Sequence, residues 1–173
     1  MPNLSVQDPL STTEIALRLF TALACGAIIG LNRDFHRKPA GFRTFGLVST
    51  GSALVVLVMH QTLGGGADAI SRVVQGVLTG IGFIGAGVIL HREPPRKVTG
   101  LTTAAAVWLT AGLGVAAGSG QYVIALVALG LALILLLAGG PVERFLERLL
   151  KRRSPRHPSP ESAREDDDAE PPE

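Results

Sequence analysis

The charged side chains of this chain gather in a few short stretches. Residues 32–43, "NRDFHRKPAGFR", place Arg33, Arg37, Lys38 and Arg43 around one acid, Asp34. Cations so closely spaced suit anions: the phosphates of lipid headgroups, or the Asp34 carboxylate, for which an ion pair with Arg33, Arg37 or Arg43 is expected. A second stretch, "TGLTT" (residues 99–103), sets hydroxyls where a hydrophobic run begins. There Thr99 or Thr102 can cap a helix by accepting a bond from a free amide. The same helix N-terminus attracts a phosphate or carboxylate.

Other chemistry is poorly provided for. Cys25 is the single cysteine, and His36, His60, His91 and His157 are scattered without zinc-site spacing. No phosphate-binding loop, nucleophile elbow or zinc-protease motif occurs. The chain is not expected to be an enzyme, nor to hold a cofactor or metal, and no nucleic-acid partner is expected. Asp68 and Arg72 stand four apart in the acid-first order that favours a simple ion pair.

The elements carrying these residues are five apolar blocks: residues 15–31, 44–63, 73–90, 101–118 and 122–138. A bilayer span needs about 20 mostly apolar residues, in a range of about 17–25, and none of the blocks has the polar stripe of a soluble helix. Mean hydropathy of +0.37 and a hydrophobic content of 47% agree. The expected fold is all-α: a polytopic bundle of about five transmembrane helices, with the lipid bilayer as its surroundings. Inside lipid a helix keeps its own hydrogen bonds, so glycine costs less and lets neighbouring backbones approach. Gly26 and Gly30 in block 1, and Gly114 and Gly118 in block 4, form GxxxG pairs. In block 3, Gly76, Gly80 and Gly87 fall on one face and Gly82 and Gly85 nearly opposite, so this helix is expected between two neighbours. A tight bundle or a homo-oligomer follows. Trp108, mid-span, is expected in helix packing, and Arg18 is expected to snorkel to the headgroups.

Orientation follows from the cations. The 1–2 and 3–4 connections and the region after block 5 are rich in Lys and Arg, whereas the other connections hold only Arg72. The positive-inside rule then sets the N-terminus outside and the C-terminus in the cytoplasm. Residues 1–14 form an extracytoplasmic segment, acidic rather than basic and so unlike a signal peptide. Residues 139–153 read either as a short amphipathic surface helix or as the end of helix 5. Residues 154–173, rich in proline and then in acids, are expected to be disordered.

Three segments carry a resemblance: "GAIIGLNRDFHRKPAGFRTFGLV" (26–48), "GIGFIGAGVIL" (80–90) and "GLTTAAAVWLTAGLGVAAGSG" (100–120). In order and spacing they resemble the membrane domain of the MgtC/SapB family, over roughly residues 15–138. The resemblance implies a multi-pass protein of the bacterial inner membrane, linked to growth at low magnesium and other stress, and in some pathogens to virulence. It also implies binding to a membrane complex such as the ATP synthase. Its motifs single out Arg33, Asp34, Lys38, Gly41, Arg43, Thr44, Thr102 and Thr103, with Gly41 relaxing the backbone ahead of helix 2. The sequence departs from the family where Asn32, Asp34, Phe45 and Thr99 stand, which usually or often hold glutamate, glutamate, histidine and arginine. The ACT-like cytoplasmic domain of longer members is not expected here.

Two functional classes are left open. One is a regulatory membrane module that binds another complex through its glycine-rich faces. The other is a small magnesium transporter or channel. Magnesium prefers carboxylate oxygens, and none of the five blocks contains Asp or Glu. Ser49, Thr50, Ser52 and Thr79 are the hydroxyls that could line a pore instead.

Overall fold

The computed structural model describes residues 10–63, 67–91 and 98–151. Five helices follow one another: α1 (Thr12–Phe35), α2 (Phe42–Leu63), α3 (Ala67–Val88), α4 (Leu101–Gly118) and α5 (Tyr122–Lys151). All five are long and apolar enough to cross a membrane. Between α3 and α4 lies an antiparallel ladder of two-residue strands, β1 (Leu90–His91) and β2 (Val98–Thr99), which the helical reading did not anticipate.

Local chemistry sets the helix ends. Ser11 caps α1, its hydroxyl accepting from the Glu14 amide at 3.2 Å. At the other end Arg37 adopts φ 50°. The Arg37 amide donates to Asp34 O and the Lys38 amide to Arg33 O, the paired bonds of a Schellman turn. After α4 the same pattern recurs with Gly120 at φ 74° in the left-handed position. The helix α4 begins after Gly100, at φ 95°, without any side-chain cap. The expected cap from Thr99 or Thr102 does not form, because the left-handed glycine turns the chain into the helix. A Cβ on Gly100 would also strike Val88 O.

The helix α2 receives both glycine pairs. Gly26 of α1 rests on the backbone of Phe45, and Gly30 on that of Phe42. Gly114 of α4 rests on the backbone of Ser49, and Gly118 on that of Ala53, while α1 and α4 also pack on each other. A Cβ on Gly114 would lie 2.9 Å from the Ser52 Cβ, and one on Gly118 would lie 2.7 Å from Ala53 O. Both GxxxG pairs therefore serve a single partner helix. Phe45, Ser49, Ser52, Ala53 and Val56 of α2 are buried accordingly.

The helix α3 has two neighbours, α4 and α2, but its glycines are largely not what meets them. Only Gly85 makes a glycine contact, with the Ala104 Cβ at 3.7 Å, whereas a Cβ on Gly76, Gly80, Gly82 or Gly87 would meet nothing within 4 Å. The helix packs through Ile81 and Gly85, one turn apart on one side. Trp108 likewise departs from expectation: it is 50% exposed, facing outward with Leu101 rather than into the bundle. Large apolar side chains such as Phe83, Val123 and Leu135 cover the outside, a surface suited to lipid and not to water.

The chain divides into two compact units after Leu136. In the first, Ala125, Leu129 and Ala132 of α5 are buried. In the second, residues 137–151 are helical and lie within the bounds of α5, with Pro141 inside the helix. The amphipathic faces expected beyond Pro141, the tail 154–173 and the N-terminal residues 1–9 lie outside the described residues, as do the connection cations Arg92, Arg96 and Lys97.

Candidate functional site

The basic loop folds back at the end of α1, and its one acid ends up on the backbone. The Asp34 Oδ2 accepts from the Phe42 amide at 2.8 Å, capping α2 from a neighbouring turn. The expected ion pair is not made; among the described residues none forms at Asp34 within 4 Å. Gly41 is needed here for room rather than for backbone freedom, since its Cβ would collide with the Asp34 carboxylate. Asp34 and Gly41 thus build the α1–α2 corner.

Arg33, one residue earlier, points the other way. It is 4% exposed, and its Nη2 donates to the Thr103 Oγ1 at 2.7 Å, joining residues 70 apart in sequence. Its Nε is buried without a hydrogen-bond partner. Beside it opens a cavity of about 330 Å³, walled by Arg33, Arg37 and Lys38 from the end of α1 and by Thr99, Thr102 and Thr103 around the start of α4. Of the residues singled out by motif, Arg33, Lys38, Thr102 and Thr103 are brought together there. Arg43, exposed, and Thr44, half-buried, stand apart on the first turn of α2. Arg37 and Thr99 join the cavity although charge counting gave them only topological or capping roles. Their signal was spacing: Arg37 lies one helical turn from Arg33, and Thr99 immediately precedes the glycine that starts α4.

At the opposite end of the bundle a second cluster was not foreseen as a unit. Arg18 does not snorkel to headgroups. Its Nε donates to the Glu14 Oε1 at 2.8 Å, and its Nη1 donates to Gly118 O at 3.1 Å. The Tyr122 hydroxyl donates to the same Glu14 oxygen at 2.9 Å. These bonds tie the start of α1 to the α4–α5 turn. The i,i+4 spacing of Glu14 and Arg18 could have shown the pair, but not its attachment to Tyr122. The further pair, Asp68 with Arg72, does not close to 4 Å among the described residues.

With this geometry in view, comparison with known proteins is direct. The MgtC family profile matches residues 19–145, which include most of α1, all of α2 to α4, the cavity and most of α5. Protein SrpB of Synechococcus elongatus is 42% identical over 170 residues, covering 89% of this chain and 93% of that protein. YhiD of Escherichia coli K12, whose name proposes a magnesium transporter, is 45% identical over 64% of this chain and 54% of its own length. Protein MgtC of Salmonella typhimurium LT2 is 42% identical over 65% of this chain and 46% of its own. The chain thus spans nearly all of SrpB but only about half of YhiD and MgtC. No solved structure matches. The chain, a multi-pass membrane protein of bacterial inner-membrane type, belongs to the MgtC family.

Proposed function

We propose that this protein is a regulatory module of the inner membrane that acts by binding a second membrane complex, the ATP synthase being the partner that the family resemblance implies. One observation carries the choice over magnesium transport: the polar end of the bundle is cationic. Arg33 is buried against Thr103, with Arg37 and Lys38 on the same cavity. A dication would meet like charge there, in place of the oxygen ligands needed to replace its firmly held water. The hydroxyls named for a pore do not form one lining. Ser49 lies where the Gly26 and Gly114 backbones close on α2, and its hydroxyl and that of Thr50 are buried without a hydrogen-bond partner; Ser52 donates to Val48 O at 2.8 Å, and Thr79 lies on the exposed side of α3.

The face of α3 that carries Gly76, Gly80 and Gly87, turned away from Gly85, is where we assign the contact with the partner. Its open glycines would let another backbone approach closely. Crosslinking from this face in native membranes would distinguish a partner complex from a second copy of the chain.

The reading is tested in two membrane preparations. Purified protein in liposomes should add no magnesium flux over empty vesicles. Overexpression should lower ATP-synthase activity in inverted membrane vesicles, and Arg43→Ala, on the exposed start of α2, should weaken that effect while the protein stays in the membrane. Saturable magnesium flux, lost on mutation of Ser49 or Thr79, would overturn the proposal.

A further inference from the structure

We propose that the cavity at the basic end binds a phosphate-bearing anion, supplied by the headgroup of an acidic phospholipid or by free phosphate. The inference goes beyond the regulatory reading and stands whether or not that reading holds. It begins with Arg33. A guanidinium carries five N–H donors, and a buried charge is tolerable when it is paired. Here it is 4% exposed and bonded to a neutral hydroxyl, with Nε unpartnered. Two oxygens of one phosphate would match the guanidinium fork that Thr103 only partly occupies.

The walls repeat this chemistry. Arg37 and Lys38 add two exposed cations at the rim, and Thr102 adds a hydroxyl. The 18-residue α4 opens on the same cavity through Gly100, Thr102 and Thr103, and its first turn has no side-chain cap. Its free amides and positive dipole end are therefore directed to the same place. The backbone fits too. Arg37 occupies, at φ 50°, the left-handed position that Gly120 fills in the matching turn after α4. A non-glycine residue there costs conformational energy, and such costs gather at ligand sites; what Arg37 brings in exchange is a charge at the rim. The volume, about 330 Å³, lies within the range of small-ligand pockets. Thr102 also lines an adjoining apolar groove of about 150 Å³, formed with Ile29, Leu109 and Leu136. A phospholipid could set its phosphate by Arg33 and begin an acyl chain in that groove.

The test uses the whole protein in nanodiscs of uncharged phosphatidylcholine, with the thermal midpoint followed by circular dichroism. One arm adds sodium phosphate against sodium chloride at equal ionic strength. The other replaces part of the lipid with phosphatidylglycerol and counts retained lipid by native mass spectrometry. At least one arm should raise the midpoint, as a ligand of the folded state must. A response to phosphate identifies a free anion, and retention of phosphatidylglycerol without a phosphate response identifies the lipid. Arg37→Gly keeps the left-handed turn and Lys38→Gln keeps the side-chain length. Each should weaken binding about tenfold, as the loss of a charge-assisted bond does, while the ligand-free midpoint does not fall and, for Arg37→Gly, rises as the left-handed position is relieved. The proposal is overturned if neither probe raises the midpoint, or if the double variant responds as strongly as the parent.

Discussion

Replacing Gly114 with alanine adds one methyl group at the tightest place in the bundle. Its Cβ would lie against Ser49 O, and 2.9 Å from both the Ser49 carbonyl carbon and the Ser52 Cβ. Two of the three atoms belong to the α2 backbone and the third, a Cβ, is fixed by it, so no flexible side chain can turn aside. The same stretch of α2 also carries the close contacts of Gly26 and Gly30 of α1, so a shift of α2 would disturb that second seam as well. Forcing one methylene into a closed core costs about 1–3 kcal/mol, which lowers the folded-to-unfolded ratio roughly 5- to 150-fold. Gly80→Ala is the matched control: the same chemical change, also in a span, with nothing within 4 Å of the new Cβ. Reversible unfolding in mixed dodecyl maltoside and sodium dodecyl sulfate micelles, followed by circular dichroism, should place Gly114→Ala at a clearly lower detergent midpoint and leave Gly80→Ala near the parent. Equal midpoints for the two variants would refute the reasoning that α2 carries tight glycine seams.

Three further outcomes are expected. Asp34→Ala should cost about 0.5–2 kcal/mol in the same titration through loss of the α2 cap, whereas Asp34→Asn, which keeps an acceptor for the Phe42 amide, should cost much less. Tyr122→Phe removes one hydrogen bond to Glu14 and should cost about 0.5–1.5 kcal/mol; Glu14→Gln should lose more, because it also dissolves the Arg18 ion pair. A periplasm-active reporter fused after Gly65 should be active and one fused after Pro94 inactive, following the distribution of Lys and Arg; the opposite pattern would invert the orientation.

Some of this molecule was legible from residue order alone, and the boundary is physical. Five helices follow from the length and apolar character of the blocks, because lipid leaves the backbone few alternatives. Gly26, Gly30, Gly114 and Gly118 could be named as close-packing positions, but not the helix they meet. That choice depends on which backbone offers small residues at matching heights, and Ser49, Ser52 and Ala53 of α2 do so without any glycine motif. In α3, glycine number misled for the same reason, since spacing describes a face and not its occupant. Charge counting sent Asp34 to a cation. It could not see that the reversal at Pro39–Gly41 brings the Phe42 amide within 2.8 Å. The Arg33–Thr103 bond, across 70 residues, leaves no local trace at all.

The cluster of Glu14, Arg18 and Tyr122 has a consequence for how the protein is made. Glu14 and Arg18 sit one turn apart, so a nascent α1 can pass into the bilayer with its charges already neutralised against each other, before any other span exists. Gly118 and Tyr122 lie 100 and 108 residues further along the chain from the groups they bind. At roughly 5–20 residues per second they leave the ribosome some 5–20 s later. The first span therefore waits with a preformed ion pair, and the α4–α5 turn fastens onto it once it emerges. The contact acts as a latch, and truncation before Tyr122 should leave α1 inserted but unfastened.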